Sequence, residues 1–163
     1  MKKGNLSIIP MKRSHIPACD AITEVSEPWK RLNERIDFNK YILLKQAYVC
    51  MAGEVLTGFI IFTPEPVFAR GGYLRAIGVS RSMRRRGIGR KLLAFAEKET
   101  ARCSQYLYLC VSTFNRAAQA FYRDRGYARA GKLADLIVPG SSEYIYWKRL
   151  RPLSQKTRRL HRD

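Results

Sequence analysis

The sequence predicts a single α+β domain built on a mixed sheet, and three observations carry that prediction. Apolar runs of strand length alternate with segments of helical periodicity in the order β-α-α-β-β-β-α-β-α-β-β, without internal repeats. The chain has 163 residues, enough to bury one core. Its apolar fraction, 46%, is that of an ordinary folded protein.

The elements follow in order. LSIIP (6–10) is a short apolar strand, and Ser14 stands where it can cap a helix across HIPACDAITEV. SEPWKRLNE breaks the pattern before a second helix from Ile36 to Lys45. AYVCMA and VLTGFIIFT, separated by Gly53-Glu54, read as a hairpin. A turn at Pro64 and Pro66 leads into GYLRAIGV, a strand that ends at Val79. From Arg86 or Gly87 to Arg102 the chain is helical, with Ile88, Leu92, Phe95 and Ala96 on one face. YLYLCV (106–111) is a fifth strand, followed by a helix from Asn115 to about Arg125. Two last strands fall near Tyr127–Val138 and Glu143–Leu150. The domain is therefore expected over residues 1–150. The tail, 151–163, sets Arg151, Lys156, Arg158, Arg159 and Arg162 against the single acid Asp163 and is expected to be disordered.

Charge narrows the classes of partner. The chain carries 31 Lys+Arg against 13 Asp+Glu, a formal +18. Such an excess favours anionic partners, whether RNA, ribosomes, membrane surfaces or phosphorylated cofactors, and repels polycations at long range. No run approaches the ~20 apolar residues of a membrane span. MKKGNLSIIPMKRSHIP lacks the apolar run of a secretory signal, so a soluble cytoplasmic protein, either monomer or homodimer, is expected. Cys19, Cys50, Cys103 and Cys110 form no CxxC pair and no histidine-rich cluster. Neither a metal site nor a disulfide framework is expected; reduced, mostly buried thiols are.

RRRGIG (84–89) is the most informative stretch. It follows a strand and opens a helix, so it exposes backbone N–H groups that no preceding turn can satisfy. The helix dipole adds partial positive charge there, and glycine lets a ligand approach the backbone. Arg81, Arg84, Arg85, Arg86, Arg90 and Lys91 surround the spot without an acid among them. These are the parts of a diphosphate cradle. A Walker A loop would need Lys followed by Ser or Thr, and a dinucleotide turn would need a glycine where Leu92 stands, so the cradle is of another kind.

The run YLRAIGVSRSMRRRGIGRKLLAFAE resembles the acetyl-CoA binding segment of the GNAT N-acetyltransferases, with R-x-x-G-x-G at Arg84, Gly87 and Gly89. VSTFNRAAQAFYRDRGY (111–127) resembles that family's next segment, and the element order matches from Leu6 to Leu150. By motif the chain is similar to the acetyltransferases of ribosomal-protein N-termini, the ribosomal-protein alanine N-acetyltransferases.

The resemblance implies a mostly antiparallel central sheet flanked by helices and splayed between its fourth and fifth strands. It implies acetyl-CoA as co-substrate, no metal, and transfer to a primary amine of a small molecule, peptide or protein by direct attack in a ternary complex. Amides from Arg85 through Arg86, Gly87, Ile88, Gly89 and Arg90 would hold the pyrophosphate. Ile77-Gly78-Val79 would pair with pantetheine like another strand, and the amide near Val79 would polarise the thioester carbonyl. Asn115 would flank the pantetheine arm, and it can equally cap its own helix. Tyr122 matches the position of the general acid that protonates the departing thiolate; packing on its helix is the other reading of that residue.

Cys110 stands where that branch carries a glutamate, and a neutral thiol is a poor base. Glu24, Glu27 and Glu143 are then the candidates, with a water chain as the alternative. SEPWKRLNE lies where the family builds its acceptor wall, with Trp29 as an apolar face and Glu27 as an attractor of amines. A second class of function stays open at this point: a nucleic-acid or ribosome-associated basic protein on the same fold, or one that acetylates an RNA-bound amine.

Overall fold

Every strand but one pair runs antiparallel, in a seven-stranded sheet whose order is β1-β2-β3-β4-β5-β7-β6. The computed structural model describes residues 5–150, so the expectation for 151–163 lies outside the described residues. The strands are β1 (Leu6–Pro10), β2 (Ala47–Ala52), β3 (Val55–Phe68), β4 (Gly71–Val79), β5 (Tyr106–Ser112), β6 (Ala128–Leu133) and β7 (Glu143–Arg149). The helices are α1 (Ile16–Glu24), α2 (Trp29–Leu32), α3 (Phe38–Leu43), α4 (Ile88–Thr100) and α5 (Arg116–Arg123).

The exception is β4 against β5, a parallel pair, and it positions everything that follows. Their ladder runs only from Gly71↔Tyr106 to Leu74↔Leu109. Beyond it β4 stays paired with β3 as far as Gly58↔Val79, and β5 stays paired with β7 as far as Ser112↔Glu143. Each strand therefore keeps its outer ladder while the inner edges, 75–79 and 110–112, separate. The splay implied by the resemblance is present.

Period-2 alternation sends the two faces of the sheet into two cores. On one side Leu107, Leu109 and Val111 of β5 pack with Ile88, Leu92, Leu93 and Ala96 of α4 and with Tyr122 of α5. On the other, α1–α3 supply Cys19, Ile22, Trp29 and Phe38 against Val49, Phe59, Ile61 and Ala76. Trp29 and Phe38 both meet the Phe59 ring, at 5.9 and 5.2 Å between centroids. This second core reaches no further across the sheet than β4. Among the described residues the β5–β7 half of that face thus carries no helical core, and a cleft opens at the boundary.

Local chemistry moves several boundaries from where periodicity puts them. Ser14 falls in a 3-10 turn, Arg13–His15, and α1 starts at Ile16 with Pro17 in its first turn and no side-chain cap. Pro17 removes one of the N–H groups a cap would serve. SEPWKRLNE holds a short helix, α2, closed by Asn33 in the left-handed region (φ 50°). The next helix is shorter than expected, starting where Asp37 accepts from the Lys40 amide at 3.2 Å and ending before Lys45 turns left-handed. β3 passes through Pro64 and Pro66 and turns only at Ala69–Arg70, because its ladder to β4 is interrupted between Thr63 and Phe68. Proline costs nothing where no ladder bond is made. β6 stops at Leu133 rather than Val138, since Asp135 turns left-handed and its carboxylate caps the Gly140 amide at 2.7 Å.

Candidate active site

The turn between β4 and α4 delivers a row of donors. A 3-10 turn, Arg81–Met83, brings the chain round. Arg85 (φ 63°) and Gly87 (φ 83°) then take left-handed conformations before α4 begins at Ile88. Alternating handedness of this kind turns successive N–H groups toward one concavity. Among the described residues, none of the six amides from Arg85 to Arg90 has a hydrogen-bond acceptor; the first that does is Lys91, to the Gly87 carbonyl at 3.0 Å. Ile88, buried in the core, pins the row in place. Gly87 is the one position there where left-handed backbone requires glycine, and the space beside it is open. Gly89 lies under the Phe121 ring and beside Val79.

The arginines divide into two groups. Arg85, Arg86 and Arg90 are exposed. Arg84 is turned back: its Nη2 donates to Ser26 Oγ at 2.7 Å and its Nε to the Val79 carbonyl at 3.4 Å. It ties the loop to the α1–α2 connection.

The gap leads from the cradle into the sheet. The Ser80 amide donates to Thr57 of β3 at 2.9 Å, so strand alternation aims the backbone groups of Ile77 and Val79 at the open side. Gly78 faces the other way, toward β3, and the Phe59 ring fills the space its side chain would need. At the far end Asn115 Oδ1 accepts from the Ala118 amide at 3.2 Å and caps α5. Gln119 fastens that helix to the end of β5 through the Ser112 and Thr113 carbonyls.

Between these parts lies a cleft of about 490 Å³. Ile77, Asn115 and Tyr122 line it together, whereas Val79 and the loop lie outside it. Tyr122 is 5% exposed, and its ring packs edge-on against Phe121 and Tyr127. Burial raises its pKa well above the usual phenol value, and nearby Arg125 opposes the shift only in part. The phenol therefore keeps its proton through neutral pH.

The three candidate carboxylates separate. Glu24 lines a different hollow, of about 380 Å³, on the other side of Trp29. Glu27 reaches the cleft but is exposed and lies 3.8 Å from Arg31. Glu143 lines the cleft at 3% exposure, and its Oε1 has no partner at full hydrogen-bond geometry among the described residues. Burial raises its pKa first; hydrogen bonding from Ser112 opposes the rise, the charge of Glu34 adds to it, and Arg75 opposes it again. Cys110 also lines the cleft, and burial raises its thiol pKa, so it stays neutral.

Sequence reasoning did not find Glu34, Arg75, Tyr73 or Ser112, all of which line the same cleft. Arg75 Nη2 meets Glu34 Oε1 at 2.5 Å across 41 residues of sequence, a pairing no local pattern signals. For Ser112 a signal existed: a polar residue ending an apolar strand just before a helix cap.

The described residues thus form a sheet parted between two parallel strands, with a donor-lined turn at one end of the gap and a buried tyrosine within it. A protein-family model described as the acetyltransferase (GNAT) family matches residues 15–127, and the chain belongs to that family. The fold is shared with the ribosomal-protein-S18-alanine N-acetyltransferase of Escherichia coli, at 18% identity and a TM-score of 0.72, over 93% of this chain and 97% of that one. Arabidopsis thaliana Naa50, in complex with the bisubstrate analogue CoA-Ac-MVNAL, is similar at 18% identity and a TM-score of 0.71, over 88% and 97%. Salmonella typhimurium yncA, with its cofactor acetyl-CoA, is similar at 16% identity and a TM-score of 0.70, over 92% and 96%. A search of the curated proteins found no match. No helix among the described residues is long and apolar enough to cross a membrane, and no group of metal-ligating side chains occurs among them.

Proposed function

We propose that this acetyltransferase is an N-acetyltransferase, which moves the acetyl group of acetyl-CoA to a primary amine by direct attack within a ternary complex. The observation that carries the proposal is the row of six unpartnered amides, Arg85 to Arg90, at the mouth of a gap that ends on Tyr122. A diphosphate supplies the acceptor oxygens these donors lack, and the exposed arginines beside them complement its charge.

In this reading the amides from Arg85 to Arg90 hold the pyrophosphate while Arg84 fixes the loop. The open backbone groups of Ile77 and the amide of Val79 pair with pantetheine, and the Val79 amide polarises the thioester carbonyl, where its donation strengthens as charge develops. Gly78 acts through packing, by admitting Phe59. Asn115 borders the arm while capping α5. Tyr122 gives its proton to the departing thiolate.

Two measurements test this. Acetyl-CoA should raise the melting temperature of the protein by linkage. Thiol release should then follow when primary amines, from short peptides to free lysine, are added. No melting shift at millimolar acetyl-CoA would overturn the reading at its first step.

A further inference from the structure

We infer that Glu143, set beside Ser112, receives the acceptor as its ammonium ion and takes the first proton from it. The acceptor is then a cationic primary amine. This rests on the N-acetyltransferase reading and adds to it the identity of the base and the charge of the acceptor.

The two residues are opposite one another in the β5–β7 ladder, Ser112↔Glu143, so their side chains leave the sheet on the same face. Glu143 is 3% exposed and Ser112 1%, and both line the cleft that holds Tyr122. Glu143 Oε1 and Ser112 Oγ each lack a partner at full hydrogen-bond geometry among the described residues, while Ser112 stands near enough to Glu143 to favour its ionised form. A buried carboxylate oxygen without a donor is costly, and a donor that reaches it offsets that cost. Water, or a donor brought by the substrate, is what fits.

The surroundings choose the donor's charge. The ionisable groups lining the cleft with Glu143 are Glu27, Glu34, Arg75, Tyr73, Cys110 and Tyr122. Among the described residues Arg75 is the single cation of the lining, and Glu34 holds it at 2.5 Å. Tyr73, Cys110 and Tyr122 are neutral, each with its pKa raised chiefly by burial. The lining therefore carries three carboxylates against one engaged guanidinium, in a chain with a formal +18. An alkylammonium supplies the missing charge and up to three donors, enough for Glu143 and Ser112 together.

The steps balance. The ammonium gives one proton to the Glu143 carboxylate, and the neutral amine attacks the acetyl carbonyl carbon. The C–N bond forms, the C–S bond breaks, and the sulfur leaves with the electron pair and takes the Tyr122 proton. The second amine proton restores Tyr122, and Glu143 releases its own proton to water. One proton is liberated per turnover, as conversion of an ammonium and a thioester to an amide and a thiol requires.

The test uses the full chain and one defined probe pair, n-butylammonium and n-butanol. With glutamate labelled at the carboxyl carbon, and Glu143→Gln used to assign its resonance, n-butylammonium should move the Glu143 signal and lower its apparent pKa, and n-butanol should not. Stabilisation of the wild type by n-butylammonium should be lost in Glu143→Gln and reduced in Ser112→Ala. On whichever amine accepts acetyl best, Glu143→Gln should lower kcat/KM by about 10²–10⁴-fold and remove the acidic limb of its pH profile. Its melting shift with acetyl-CoA should remain. Equal responses to the two probes, or an unchanged acidic limb in Glu143→Gln, would overturn the inference. Loss of the acetyl-CoA shift from the wild type itself would instead strike the N-acetyltransferase reading.

Discussion

The loop of residues 81–91 and the cleft behind it use charge in opposite ways. The loop has Arg81, Arg84, Arg85, Arg86, Arg90 and Lys91, and no acid occurs between Glu65 and Glu97. These cations are exposed, and the hydrogen bonding in the proposed cradle comes from backbone amides beneath them. The cleft has Glu27, Glu34 and Glu143 against Arg75. The charge proposed to act there is a buried side chain on the far strand of a ladder. Exposed charge acts at a distance and is weakened by salt, whereas buried charge acts on contact and is screened much less. The loop is therefore suited to gathering an anionic co-substrate, and the cleft to sorting what meets it.

The largest effect should come from the cleft's acid. Tyr122→Phe should slow transfer by about 10²–10⁴-fold, with the acetyl-CoA melting shift unchanged. Equal rates for variant and wild type would reduce Tyr122 to a packing residue between Phe121 and Tyr127. Next comes the loop itself. At acetyl-CoA a hundredfold above its dissociation constant, linkage contributes about 2.7 kcal/mol to stability. Gly87→Val should abolish that contribution, because a β-branched residue resists the left-handed backbone the cradle needs. A Gly87→Val protein still stabilised by acetyl-CoA would uncouple the loop from diphosphate binding.

The electrostatic tests are smaller and sharper. Glu34→Gln removes a like charge that raises the Glu143 pKa and frees Arg75 to face it. Both changes favour the carboxylate, so the acidic limb of the rate profile should move to lower pH. A folded-state carboxyl pKa raised by burial means that the native state binds the proton more tightly than the unfolded chain. Stability is then lost as pH rises from the ordinary carboxylate range through the raised value. Glu143→Gln should accordingly melt higher than wild type at neutral pH, a gain that disappears in acid. A melting temperature lowered at every pH would mark Glu143 as a structural partner. The smallest expected contrast is with salt: KM for acetyl-CoA should rise as the exposed arginines are screened, with little change in the Glu143-dependent selection of amines.

How far each region could be read in advance follows the same division. The row of free amides was visible in RRRGIG because the donors are consecutive backbone groups, and the order strand, glycine turn, helix already says that they lack partners. Asn115 was visible for a related reason, since a cap bonds three residues ahead. Arg84 was not: it reads as one more cation of the loop, and only the fold shows it reaching Ser26, 58 residues away in sequence. Pro64 and Pro66 read as a turn, yet the chain runs straight through them because the ladder beside them is open.

Among the carboxylates, composition and spacing could not rank Glu24, Glu27 and Glu143. Their chemical identity is the same, and what separates them is burial. That depends on the ladder register that sets Glu143 opposite Ser112, on the limited reach of the α1–α3 core, and on Arg75 meeting Glu34 rather than Glu143. The sequence by itself determined the α+β order, the glycine turn with its row of unpartnered amides and the excess of positive charge, because periodicity, glycine and net charge are properties of neighbouring residues or of their sum. Which carboxylate is left buried and unpaired was decided by tertiary structure alone, because desolvation depends on what distant segments bring to surround a group.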